Sequence, residues 1–157
     1  MKFLIRLLCA SLALGLPATS FAYDATLAEH LHKDITSQRD QKFFVEKSIT
    51  TSAEDVLKSL SKNENITLLD IRTQAEQNVV GLTHPNSLSI PMEKLLLKEN
   101  LDRLPEQSKI VVVCHLGSRA AYVSSLLQAI GFNNVTYLNG GLIQLVTQLT
   151  PKTVPLQ

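Results

Sequence analysis

The run Val111-Val112-Val113-Cys114-His115-Leu116-Gly117-Ser118-Arg119-Ala120 puts a thiol, a glycine and a guanidinium just after a β-branched stretch. The thiolate is the nucleophilic form of cysteine, and it needs its charge stabilised. A loop that curls after a strand turns successive N–H groups toward one point, and a helix that follows adds its N-terminus. Both favour an anion. Gly117 permits the left-handed backbone such a curl needs. Arg119 opens the next helix and can either brace the loop or meet an oxyanion with a forked hydrogen bond. Cys114 is therefore the candidate nucleophile. The competing reading is a small apolar residue that ends a core strand and does no chemistry. The glycine and arginine at these offsets weigh against it.

Other titratable residues carry less. His115 can draw an anionic donor, help deprotonate an acceptor thiol, or simply face solvent. Asp70 ends an earlier apolar run and can anchor an arginine near the loop. Arg72 belongs with it, and both suit structural support better than catalysis. His30 and His32 are two residues apart, so they do not share a helical face, and solvent-facing roles outweigh a metal site. No metal and no cofactor is expected.

These residues need a scaffold. Lys109 to Val113 is an unbroken β-branched run without alternation, which predicts a strand buried on both faces and hence a parallel sheet. The helix predicted over 119–130 places Ala120, Val123, Leu126, Leu127 and Ile130 on one face, and Gly131 closes it. Ile66 to Ile71 predicts a second strand, Val135 to Leu138 a third, and Ser48 to Thr51 a short one. Ser52, with Asp55 three residues on, predicts a helix start followed by Ala53, Val56, Leu57 and Leu60 at helical spacing. A helix is expected over 25–40, a short one over 92–97, and a last one over 142–149. Residues 72–89 read as loop. Strands alternating with helices predict an α/β domain, with a mainly parallel central sheet flanked by helices on both faces.

The chain has 157 residues, 45% hydrophobic and 18% charged, enough apolar material for one real core. Its 15 Lys and Arg against 14 Asp and Glu leave a net charge of +1, which argues against a nucleic-acid partner. Lys2 and Arg6, the apolar run Leu7–Leu16, Pro17 and the small residues Ser20 and Ala22 predict a secretory signal peptide cleaved after Ala22. That run is well short of the roughly 20 residues a membrane span needs. The expected organisation is a signal over 1–22, a partly helical extension over 23–47, the α/β domain over 48–150 and a tail over 151–157. The expected location is a periplasm, with no membrane contact after cleavage. Of the two cysteines, Cys9 leaves with the signal. Cys114 is then a lone thiol in an oxidising compartment, and its activity should depend on an outside reductant or acceptor.

Cys114-His115-Leu116-Gly117-Ser118-Arg119 resembles the Cys-x-x-Gly-x-Arg loop of the rhodanese family of single-domain sulfurtransferases. Leu69-Asp70-Ile71-Arg72, with Glu76 after it, resembles that family's first signature. Gly81, His84, Pro85 and Ile90-Pro91 resemble its central segment. Gly131-Phe132-Asn133-Asn134-Val135 and Leu138-Asn139-Gly140-Gly141 resemble its closing motifs. The likeness covers about residues 48–149. A tryptophan usual after the Gly-Gly is replaced at about that place by Leu145. The resemblance implies a sulfurtransferase in which Cys114 takes sulfane sulfur from a donor such as thiosulfate, holds it as a persulfide, and passes it to cyanide or a thiol. It implies that His115, Leu116, Gly117, Ser118 and Arg119 line the substrate site. It also allows a protein thiol as partner. Cysteine phosphatases and arsenate reductases place five residues between Cys and Arg, a wider ring for a tetrahedral oxyanion. The four here suit a single sulfur atom. The alternative function is a non-turnover binding or redox module that presents Cys114 to a partner thiol.

Overall fold

The computed structural model describes residues 23–153. The predicted signal peptide, residues 1–22, lies outside the described residues, as do the last four positions of the tail. The elements in chain order are α1 (Ala25–Ser37), α2 (Gln41–Glu46), β1 (Thr50–Thr51), α3 (Ala53–Ser61), β2 (Ile66–Asp70), α4 (Gln74–Val79) and β3 (Ser87–Ser89). They continue with α5 (Met92–Leu95), α6 (Lys98–Leu101), β4 (Lys109–Val113), α7 (Ser118–Ala129), β5 (Val135–Leu138) and α8 (Gly141–Thr147).

The five strands form one sheet in the order β1-β5-β4-β2-β3, and every pairing is parallel. β4 sits at its centre with Ile110 to Val113 fully buried, as an unbroken β-branched run requires. Side chains alternate across the sheet. Leu69, Ile71, Ile110, Val112 and Cys114 face one layer with Ala120, Val123 and Leu127 of α7 and Leu95 of α5. Leu68, Val111, Val113 and Leu138 face the other, with Ala53, Val56 and Leu57 of α3 and Leu142 and Leu145 of α8. Leu145 is buried there, so a leucine fills the place where the resembled pattern has an indole.

Local chemistry explains the boundaries. Ser52 caps α3 by accepting from the Asp55 N–H at 3.1 Å. Gly131, at φ +111°, ends α7. Its N–H donates to the Gln128 carbonyl while that of Phe132 donates to Leu127, a Schellman closure.

Three expectations are corrected. The helix expected over 25–40 ends at Ser37, and a second helix, α2, follows beyond it, because Asp40 caps a new start by accepting from the Phe43 N–H. Residues 72–89 are not simply loop, since they hold α4 and β3. α4 is too short to show a period, yet Thr73 and Glu76 form a reciprocal capping box at its start. The helix expected over 92–97 is instead α5, with α6 starting after Leu97.

The extension joins the domain at the end of α7. Arg39 is buried, pairs with Asp34 and donates to the Gln128 carbonyl. The His30 ring meets the Ala129 carbonyl at 3.1 Å. No residue of α1 is buried.

The topology selects the place for a site. From β2 the chain moves outward to β3, and from β4 it moves the opposite way to β5. The carboxyl ends of β2 and β4 therefore flank the crevice where the winding reverses, the place where open α/β sheets bind ligands. Cys114 follows β4 there, and Asp70 ends β2.

Candidate active site

β4 delivers Cys114 to the crevice with its side chain on the α7 side, where it is 1% exposed. It is a free thiol. The Gly117 N–H donates to its sulfur at 3.1 Å. Gly117 has φ +102° and leads straight into α7, so the helix N-terminus faces the loop.

A second helix holds the loop from the other side. The Leu142 N–H donates to the Cys114 carbonyl at 2.8 Å, and the Ile143 N–H to the His115 carbonyl at 3.3 Å. These are first-turn N–H groups of α8, which have no partner inside the helix. All peptide bonds described are trans, so tying these carbonyls to α8 turns the N–H groups of His115 and Leu116 away from it. The approach is close enough to demand glycine. A Cβ on Gly141 would lie 2.6 Å from the carbonyl oxygens of both Cys114 and His115, and Gly141 has φ +60°.

Arg119 takes the bracing role. Its Nη1 donates to Glu76 Oε2 at 3.0 Å and its Nη2 to Oε1 at 2.7 Å. The fork holds the Glu76 carboxyl far below the usual carboxylate range, and the Thr73 N–H adds to the effect. In return the Glu76 hydrogen bonds raise the Arg119 pKa, with smaller contributions from the charge and hydrogen bonding of Cys114. The guanidinium is thus committed by its hydrogen bonds to the Glu76 carboxylate.

Asp70 anchors Arg72 rather than Arg119. The pair is bidentate, at 2.9 Å and 2.6 Å, and fully buried. Arg72 also donates to the Val80 carbonyl at 2.6 Å, and Gln77 donates to the carbonyls of Asp70 and Arg72. These bonds tie the middle and the C-terminal end of α4 to the tip of β2, which helps fix where Glu76 stands. Asp70 and Arg72 therefore reach the active loop indirectly, through α4 and the Glu76–Arg119 pair. Within the loop, His115 is exposed and Leu116 is 65% exposed.

Glu76 is the residue that sequence reasoning left without a role. The signal available was Thr73-x-x-Glu76, which marks a helix start and so fixes the direction of that carboxylate. Replacing Glu76 with Gln should remove the ion pair and about 1 kcal/mol of stability, the upper end for a partly exposed pair. The sign follows from the lowered pKa. The contribution is complete above the carboxylate's ordinary 4.5 and is lost only as pH falls well below it. Urea unfolding of both proteins should show a gap that is constant from pH 7 to pH 5 and closes only in stronger acid.

Residues 52–146 match the family model described as rhodanese-like domain. The chain is similar to a sulfurtransferase of Allochromatium vinosum, 29% identical over 105 residues that make up 66% of this chain and 92% of that protein. It is also similar to an adenylyltransferase and sulfurtransferase of Ogataea parapolymorpha, 33% identical over 84 residues, or 54% of this chain. There the chain spans only 21% of the relative's length. Among solved structures, a rhodanese-related protein from Thermoplasma volcanium superposes with a TM-score of 0.55 at 25% identity, covering 65% of this chain and 94% of that one. A human single-domain sulfurtransferase superposes with a TM-score of 0.56 over 66% of this chain and all of that one, and at 17% identity it speaks for the fold alone. The matched span begins at the α3 cap and ends inside α8, so it takes in every element that shapes the Cys114 loop. The chain belongs to the rhodanese-like domain family.

Proposed function

We propose that this protein is a sulfurtransferase that moves sulfane sulfur through a Cys114 persulfide. The observation that carries the reading is one free thiol at the switch point of a parallel sheet, with the Gly117 N–H on its sulfur and two helix N-termini framing its loop. The sulfurtransferase relatives support the reaction class.

In the first half-reaction the Cys114 thiolate attacks the outer sulfur of thiosulfate. A Cys–S–S bond forms, the S–S bond of the donor breaks, and sulfite leaves with the electron pair. The terminal sulfur carries the negative charge, which the loop N–H groups and the Arg119 guanidinium stabilise. In the second half-reaction a thiophile, cyanide or a thiolate, attacks that terminal sulfur. Thiocyanate or a new persulfide leaves, and the Cys114 thiolate returns. No electrons are gained or lost overall. His115, exposed beside the nucleophile, draws an anionic donor or accepts the proton of an incoming thiol. The N-terminal segment supports export and periplasmic residence.

Intact-mass measurement tests these points together. The protein purified from an exporting host should lack residues 1–22, gain one sulfur atom with thiosulfate, and lose it on adding cyanide as thiocyanate forms. A disulfide-linked partner with no sulfur uptake would overturn the reading in favour of a non-turnover module.

A further inference from the structure

A cavity of about 450 Å³ opens at the amino ends of β4 and β5, where the N-terminal extension meets the domain. Lys109 begins β4 and Cys114 follows its other end, so the two are roughly 17 Å apart along the strand. The cavity is therefore separate from the sulfur site. Lys47, just past α2, and Lys109 both line it, and no carboxylate side chain does. Among the described residues neither lysine forms an ion pair. Phe43 positions the first of them, since Lys47 Nζ lies 5.4 Å from its ring centroid, a cation–π contact. Phe44 steadies that ring edge-on, with centroids 5.2 Å apart.

A third cation stands behind the wall. Arg39 pairs with Asp34 and donates to the Gln128 carbonyl and, at 3.4 Å, to Asn133 Oδ1, both residues of the lining. It is 6% exposed, yet its Nε has no partner. Burial lowers the Arg39 pKa, which marks a cation short of counter-charge. An orphaned buried donor is costly, and an anion bound nearby offsets part of that cost.

We propose that this cavity binds a small organic phosphomonoester, with its phosphate on Lys47 and Lys109 and its organic part toward Ile49. Two ammonium groups on one cavity call for two charges on one head. A phosphomonoester carries about 1.5 to 2 negative charges at neutral pH, whereas a carboxylate or a sulfate ester carries one. The volume is larger than a bare ion needs and falls in the range of small-molecule sites. The extension completes this site, because Arg39, Phe43 and Lys47 all precede the span 52–146 that matches the family model.

Calorimetric titration of the purified protein with phenyl phosphate and with phenyl sulfate tests the proposal, since the two ligands share a shape and differ in charge. Phenyl phosphate should bind about tenfold more tightly. Lys47→Gln and Lys109→Gln change exposed side chains, and each should weaken phenyl phosphate by about tenfold while sulfur uptake stays at the parent level. Lys94→Gln, an exposed change on α5, should bind like the parent. No saturable binding, or equal affinity for the two ligands, would overturn the inference. So would an equal loss in Lys94→Gln, or binding that survives both site variants, which would put the ligand elsewhere, the Cys114 loop included. Each of these outcomes leaves the sulfur chemistry untouched.

Discussion

Cys114→Ser should take up no sulfur from thiosulfate and release no thiocyanate, yet fold like the parent. The side chain is small and 1% exposed, and the hydroxyl can accept the Gly117 N–H that the sulfur now accepts. What is lost is chemical. A serine hydroxyl is not ionised at neutral pH, and among the described residues no side chain able to take up a proton is hydrogen-bonded to the Cys114 side chain to activate it. The expected result is a rate at the level of the uncatalysed exchange, with thermal unfolding changed by less than about 1.5 kcal/mol. Mass spectrometry after thiosulfate and a thiocyanate assay read the first part, and a melting curve reads the second. Turnover near the parent rate would remove Cys114 from the reaction altogether.

Gly141→Ala should damage both stability and activity. The alanine would have to hold a left-handed backbone, which costs about 1–2 kcal/mol. Its Cβ would also press at 2.6 Å on the carbonyl oxygens of Cys114 and His115, which are backbone atoms with little room to yield. Relieving that overlap means moving α8 or the loop, for a further cost of about 1–3 kcal/mol. Either movement weakens the bonds from Leu142 and Ile143 that orient the loop. Sulfur uptake should therefore fall far more than the stability loss alone explains. Gly131→Ala is the control. Gly131 is also left-handed, at φ +111°, but a Cβ there meets nothing within 4 Å. It should cost about 1 kcal/mol from backbone strain and leave sulfur uptake intact. Urea unfolding and the mass assay on the two variants give the comparison.

The parts of the site legible in sequence were those built from one local segment. The β-branched run ending at Val113, the four-residue spacing to Arg119 and the Gly131 stop lie within one strand, loop and helix. Their local preferences agree with the final fold, so strand, nucleophile and helix could be read together. The partner of Arg119 was not legible in the same way. Glu76 lies 43 positions upstream, and it reaches the guanidinium only because parallel pairing sets β2 beside β4. α4 and β3 escaped for another reason. Six residues and three residues are too few for a hydrophobic period to emerge, so only the Thr73–Glu76 cap betrayed the helix. The Gly140-Gly141 pair carries the chain from β5 into α8. Its second task, letting α8 approach the active loop, depends on tertiary contact that no local pattern encodes.

The clamp from α8 onto the active loop has a consequence for the order in which this protein becomes reactive. The strand carrying Cys114 and the helix carrying Arg119 are complete well before α8 in the chain, but the carbonyls of Cys114 and His115 have no α8 partners until β5 has paired and α8 has docked. Without α8 the loop keeps the Gly117 N–H on its sulfur but loses the two bonds that hold its carbonyls. The curl of the active loop is completed by contacts from the last described helix in chain order, α8. A chain in which α8 is undocked therefore lacks two of the bonds that orient the backbone around its thiol.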